Sequence, residues 1–385
     1  MKIGNVFNYY LPPELISKQP ASPRDSSRLF VYDTKTNKIG LDYFYHLHKY
    51  IPNNSLMVFN KTKVLPARIK MKKSTGGKVK VLFLVNEIGN IQYSTINIQS
   101  ISNNQTINKN KIRVFVDRKV QIGERLFFNI NYYVTVIDQQ EHIFTVQFDF
   151  SIETLFTLLE KKGTMPIPLY IKHSPLNRSQ LREKYQTIFA QNKGSAAAPT
   201  ASLHFTNRLF EKLEKKGIKK EFVTLHVGMG TFAPVTDEQF KQKKLHKEWY
   251  EIDQHTSQSV QRSKSEGKKL VAVGTTVVRT LESLNPKSRT LLRLTSGQVN
   301  PKQIPNSKEK NLIYSKTDLF IYPPYEFRFV DHMITNFHLP GSSLMMLVEA
   351  FLQYKNAKRN LVDLYKIAIG EKFRFYSFGD GMLIL

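Results

Sequence analysis

The sequence predicts an α/β main domain that carries an inserted all-β domain, a small antiparallel barrel. Three observations predict it. Short strands and turns fill the chain to about residue 68, a block of β-branched and aromatic runs follows, and after residue 151 strands alternate with amphipathic helices. The main domain is therefore discontinuous, residues 1–68 and 155–385, and the barrel occupies 69–154.

In chain order, RLFVYDTKTNKIG (28–40) predicts a hairpin, a β-rich arm turning at Thr36-Asn37. The apolar run 56–59 in SLMVFNKTKVLPARI predicts a strand that leads into a polar loop and Pro66. KVKVLFLV, IQYSTINIQ, KIRVFV, RLFFNINYYVTVI and HIFTVQFDF predict five or six barrel strands, several alternating polar with apolar. TNRLFEKLEKKG predicts an amphipathic helix with Leu209, Phe210 and Leu213 on one face and Gly217 closing it. EFVTLHVGMGTF predicts a strand entering a glycine loop, and KKLVAVGTTVVRTLESL a strand, a Gly-Thr-Thr turn and a helix. TDLFIYPPYEF predicts one more strand, and SSLMMLVEAFLQY a buried helix. Residues 285–311 read as a mobile loop.

Composition limits the chemistry. With 57 Lys+Arg against 31 Asp+Glu the net charge is +26. Such an excess attracts a polyanion, nucleic acid first, although an AT-rich genome also yields many lysines. Lys215, Lys216, Lys219 and Lys220, with Lys241, Lys243, Lys244 and Lys247, form two basic clusters that suit either a solvated face or an RNA backbone. The absence of cysteine excludes disulfides, Fe–S clusters and thiolate zinc sites. No run approaches the roughly 18 apolar residues of a membrane span, so a cytoplasmic protein with no membrane partner is expected.

Two strand–loop–helix junctions offer backbone amides to a ligand, HVGMGTF (226–232) and VGTTVVRT (273–280). Gly228, Gly230 and Gly274 permit close approach, and Thr231, Thr275 and Thr276 add hydroxyls. Tight turns alone would look the same, since neither junction is a full dinucleotide or phosphate-loop motif. His204, His226 and His338 each lie in an apolar or uncharged context, and Asn336 sits beside the last. A single such histidine is ordinarily a core residue; three raise the expectation of a shared site. Their spacing fits no compact metal motif, so no metal is expected. Arg24, Asp25 and Arg28 in PRDSSR suit a local ion-paired turn or bidentate binding of a phosphate or carboxylate.

Taken in order, LPPELI, PRDSSRL, VFNKTKVLPARI, TGGKVKVLFL, MPIPLYI, GSAAAPTASLHFT, FVTLHVGMGTFAPV, LHKEWYEI, VAVGTTVVRTLE, FIYPPYEF, TNFHLPGSSLMMLV and FRFYSFGDGML resemble one family over nearly the whole chain. That family is the S-adenosylmethionine:tRNA ribosyltransferase-isomerases of queuosine biosynthesis. The resemblance implies an α/β domain with an inserted β-barrel. It also implies transfer and isomerisation of the ribosyl part of S-adenosylmethionine onto a 7-aminomethyl-7-deazaguanine base at the tRNA anticodon. Epoxyqueuosine, adenine and methionine are the implied products. S-adenosylmethionine would be a co-substrate, with no permanently bound cofactor, and the chain a monomer.

Such chemistry needs a base near the carbon next to the sulfonium, a partner for the departing adenine, and aromatic faces for the cation. His204, His226 and His338 are the acid and base candidates. Gly228, Gly230, Thr231, Gly274, Thr275, Thr276 and Arg279 are expected to line the donor pocket, with Asn336, Glu248 and Asp380 as polar contacts. The uncharged loop GSAAAPTASLHFT would let a flat ring approach the backbone. Lys61, Lys80, Ser202, Lys243, Lys316 and Pro324 depart from the family pattern. They leave open a diverged paralogue that binds tRNA or another RNA without ribosyl transfer, or acts on another base.

Overall fold

Segments from both sides of the barrel build one large sheet. The computed structural model describes residues 7–88, 110–228, 235–284 and 312–385. The chain opens with the hairpin β1 (Arg28–Asp33) and β2 (Lys38–Tyr43), then β3 (Leu56–Asn60) and the short β4 (Thr62–Val64). Six strands follow: β5 (Arg68–Lys73), β6 (Lys78–Phe83), β7 (Asn110–Val116), β8 (Arg125–Phe127), β9 (Tyr133–Gln140) and β10 (Ile143–Phe148). They close an antiparallel barrel in the order β10-β7-β6-β5-β8-β9.

Helices α1 (Ile152–Lys162) and α2 (Arg178–Lys184) lead back to β11 (Asn192–Ser195), which pairs with β4. Next come α3 (Asn207–Lys215), β12 (Lys219–Leu225), α4 (Asp237–Gln242), β13 (Lys244–Asp253) and α5 (Gln254–Ser265). The chain continues through β14 (Leu270–Val273), α6 (Thr275–Glu282), β15 (Leu312–Leu319) and β16 (His332–Asn336). It ends with α7 (Ser343–Tyr354), α8 (Leu361–Gly370) and β17 (Gly381–Ile384). The main sheet runs β15-β13-β12-β3-β14-β16-β17-β1-β2.

The centre of this sheet is parallel: β3 lies between β12 and β14, and β14 pairs with β16. Both faces are covered, so β3, β14 and β16 are buried throughout rather than alternating. Val58 and Ala272 pack towards α6 and α7, whereas Met57, Phe59 and Val273 pack on the other face with Phe205 and Leu209. The barrel strands do alternate, as β10 shows, and Leu155 and Leu159 of α1 join the barrel core.

Two expected strands come out differently. RLFFNINYYVTVI is two strands, β8 and β9, because Asn129 turns the chain by accepting the N–H groups of Asn131 and Tyr132 at 2.9 Å. The strand expected in TDLFIYPPYEF ends at Leu319, before its prolines, and instead continues N-terminally to Leu312. IQYSTINIQ and the loop 285–311 lie outside the described residues. Among the described residues, no helix is long and apolar enough to cross a membrane.

Candidate active site

The carboxyl ends of β3, β12, β14 and β16 meet along one edge of the sheet, and Asn60 ties three of these segments together. Its carboxamide oxygen accepts the N–H groups of Thr62 and Leu225, each at 3.1 Å. Its amide nitrogen donates to the Leu225 carbonyl at 3.0 Å and to the Thr276 hydroxyl at 3.3 Å. The small-residue loop after β11 then folds over the end of β12. Ser195 Oγ accepts the Val227 N–H at 3.0 Å, and Ala196 donates to the Val227 carbonyl at 3.0 Å. No charged side chain fits into this contact, which is why the stretch consists of Gly, Ser, Ala and Pro.

Between that loop, the start of α6 and the end of β16 lies a first cleft. Gly274, Thr275, Thr276, Asn336 and His338 line it, together with Thr200, Tyr170 and Tyr376. Gly274 has φ +93°, a left-handed conformation that lets β14 turn directly into α6. Asn336 accepts the Thr200 hydroxyl at 2.6 Å, and its buried amide nitrogen has no partner among the described residues. His338 is fixed on three sides. Its Nε2 is bonded to the Thr335 hydroxyl at 2.7 Å, its N–H donates to Tyr365 Oη at 2.9 Å, and its carbonyl accepts the Tyr9 hydroxyl.

The other two histidines stand behind the cleft wall. His204 stacks on Phe44 with ring centroids 4.1 Å apart, and its Nδ1 is bonded to Ser27 Oγ at 2.7 Å. His226 packs against Gly194 and is bonded through Nδ1 to the Thr62 hydroxyl at 2.8 Å. Burial lowers all three: His204 and His226 to about 4 and His338 to about 3. For His204 the Asp380 carboxylate opposes that shift only in part. The apolar surroundings thus favour three neutral imidazoles.

Gly228, Glu248 and Arg279 lie elsewhere, in a second cleft between the barrel and the β13 edge of the sheet. Arg279 is ion-paired with Glu248, both almost fully buried, and Glu248 accepts the Gly228 N–H at 2.8 Å. Gly230 and Thr231 lie outside the described residues. Arg24, Asp25, Arg28 and Asp380 are occupied by internal bonds. Arg24 donates to the carbonyls of Gln186 and Glu183, and Asp25 accepts Thr206 and the Arg208 guanidinium. Asp380 accepts the backbone N–H groups of Arg28 and Arg374 and the Arg374 guanidinium, while Arg28 itself lies over Phe373. Among the described residues no group of three or more His, Cys, Asp or Glu side chains could hold a metal ion.

A model of the family described as queuosine biosynthesis protein matches residues 5–384. The chain belongs to that family. Relatives named S-adenosylmethionine:tRNA ribosyltransferase-isomerase include one from Thermosipho melanesiensis, 39% identical over the full length of both chains. Another, from Thermoanaerobacter sp., is 38% identical over 98% of each. A crystal structure of S-adenosylmethionine tRNA ribosyltransferase from Thermotoga maritima is similar at 30% identity, over 98% of this chain and 99% of that one, with a TM-score of 0.49.

Against this family membership the six departures can be placed. Lys80 is on the barrel beside Asp117, Lys243 ends α4 with φ +55°, and Pro324 lies in a bend after β15. Lys61 stands close enough to Glu251 to offset part of the burial that raises its carboxyl. Ser202 is buried, and its hydroxyl has no partner among the described residues. None of the six lines the first cleft; Lys316 alone lines the second. Sequence reasoning missed Tyr170, Tyr376 and Thr335. Thr335 is three residues before His338, a spacing that carries no signal outside a helix. Tyr376 holds φ +70°, which nothing in its sequence context announces.

Proposed function

We propose that this chain transfers and isomerises the ribosyl part of S-adenosylmethionine onto 7-aminomethyl-7-deazaguanine in the tRNA anticodon. Adenine and methionine are released and epoxyqueuosine-tRNA is formed. Membership of the queuosine family and the relatives' activity support this. The observation that carries it is the convergence of His338, Asn336, two tyrosines and the α6 N-terminus on one cleft.

Each feature answers a need of the donor. Tyr170 and Tyr376, with ring centroids 4.8 Å apart, offer aromatic faces to a sulfonium. The open N–H groups at the start of α6 suit the methionine carboxylate. The unpartnered Asn336 N–H suits a ring nitrogen of adenine, and a hydrogen bond there makes the base a better leaving group. His338, immobilised in the cleft wall, is the candidate to take the proton from the carbon next to sulfur, and a cationic donor bound beside it leaves that carbon more acidic.

Purified protein mixed with S-adenosylmethionine and tRNA bearing 7-aminomethyl-7-deazaguanine is expected to release adenine and shift the nucleoside mass to epoxyqueuosine. His338→Gln is expected to lower turnover by roughly 10²–10⁴-fold with donor affinity little changed. Folded protein that binds the tRNA yet yields neither product would overturn the proposal in favour of an RNA-binding paralogue.

A further inference from the structure

The second cleft abuts the first. Val227 and Leu344 line the first cleft, and their chain neighbours Gly228 and Ser343 line the second. A group-transfer enzyme with two substrates needs this arrangement, because reacting atoms must come within about 3–3.5 Å of each other. The second cleft is also the larger, about 1700 Å³ including its mouth against about 550 Å³.

Its walls hold two unsatisfied polar groups of opposite kind. Arg279, 4% exposed, pairs with Glu248 and donates through Nε to the Leu319 carbonyl at 3.2 Å, yet its Nη2 has no partner among the described residues. The barrel contributes Asn86 to the same cleft, 7% exposed, from the turn Val85–Glu87, and the carboxamide oxygen of Asn86 also has no partner among the described residues. Burying such groups unpaired is costly, and a ligand with an acceptor beside a donor would satisfy both. At the rim Trp249 stacks on Tyr314 at 4.5 Å, and Lys316 Nζ lies 4.4 Å from the Trp249 ring centre, with Lys247 alongside.

We propose that this second cleft seats the acceptor nucleotide of the RNA, its base extruded between Asn86 and Arg279 and its phosphates on Lys316 and Lys247. The inference rests on the donor site proposed above and deepens it. The Watson–Crick edge of a guanine-type base, which the 7-deaza analogue keeps, carries an O6 acceptor beside an N1–H donor, so a guanidinium N–H and a carboxamide oxygen complement it. Extruding the base takes it out of its stack, as enzymes that modify bases require. The barrel thus supplies one reading group, Asn86, and the sheet supplies the other. Lys316, one of this chain's departures from the family pattern, adds a cation at the rim.

The test measures two affinities on the full chain. The tRNA carrying 7-aminomethyl-7-deazaguanine is followed by fluorescence anisotropy at several salt concentrations, and S-adenosylmethionine by calorimetry. Asn86→Leu is expected to weaken tRNA binding tenfold or more and leave donor affinity within twofold. Lys316→Ala, at a half-buried rim position, is expected to reduce the salt slope by about one counterion. Unchanged tRNA affinity and slope in both variants, or loss of donor affinity instead, would overturn the seat. Adenine release by the unmodified chain reports separately on the donor site, so the two failures are distinguishable.

Discussion

Replacing Gly194 by alanine puts a methyl group where the small-residue loop meets His226. Built at that position, the Cβ lies 3.0 Å from both Cε1 and Nε2 of the imidazole and 3.2 Å from Cδ2. The ring cannot swing away freely, because Nδ1 is bonded to the buried Thr62 hydroxyl at 2.8 Å and the His226 N–H is bonded to the Trp249 carbonyl at 2.9 Å. Gly194 also holds φ +142°, which a side chain rarely adopts. Overpacking costs about 1–3 kcal/mol, the backbone conformation roughly 1 kcal/mol, and loss of the Thr62 bond about 1 kcal/mol more if the ring yields. A total near 3 kcal/mol follows. For 385 residues, at an unfolding entropy of about 2 cal/mol/K per residue, that is a fall of about 4 °C in Tm. Scanning calorimetry measures it, and His226→Ala in the same chain should relieve most of the added cost, a coupling of about 2 kcal/mol. A Gly194→Ala variant within about 0.5 kcal/mol of the parent, or strict additivity in the double variant, would refute the account.

Three further outcomes are expected. Asn336→Leu keeps the size of the side chain but deletes its unpartnered donor, so calorimetric affinity for S-adenosylmethionine should fall about tenfold; unchanged affinity removes Asn336 from the donor site. His204, His226 and His332 are held at about 4 and His338 at about 3, all by burial. The unfolded chain therefore binds protons that the folded one does not below about pH 6.5, and stability, full above that pH, declines as pH falls towards 4. The loss should approach 1.4 kcal/mol per histidine per pH unit, roughly, and urea midpoints at pH 7 and 5.5 that coincide would contradict it. Asp380→Asn weakens a fully buried carboxylate that accepts from Arg28 and Arg374. Stability should drop by about 3 kcal/mol with donor affinity of the folded protein unchanged; a selective loss of affinity would instead return Asp380 to the site.

Much of the fold is legible in the sequence because its signals are short-range. The hairpin 28–43, the alternating barrel strands and the unit from Leu270 to Glu282 each declare themselves within a short stretch of contiguous sequence. β13 does not: KLHKEWYEID begins polar, and its strand character comes from β12 and β15, distant in sequence. The candidate site is legible only as a set of loops. Three histidines near strand ends suggest one site, but sequence does not say which side of a wall each occupies. Only His338 lines the first cleft, while His204 and His226 support its wall. The division of Gly228, Glu248 and Arg279 from Gly274–Thr276 is equally hidden, since Arg279 is on the same helix as Thr275 and one turn decides the cleft it meets. Asp380 and Arg28 meet across almost the whole chain, a pairing without local trace.

The strand order has a consequence for synthesis. β17 lies between β16 and β1, so the first strand has the last one as its parallel neighbour. Until β17 is made, the β1–β2 hairpin has no strand partner in the sheet, and the seam between β16 and β1 stays open. Closing that seam requires a pairing of very long sequence separation, which slows folding. A growing chain would expose β1 and β16 as unpaired edges throughout, the condition in which chaperones and proteases compete for it.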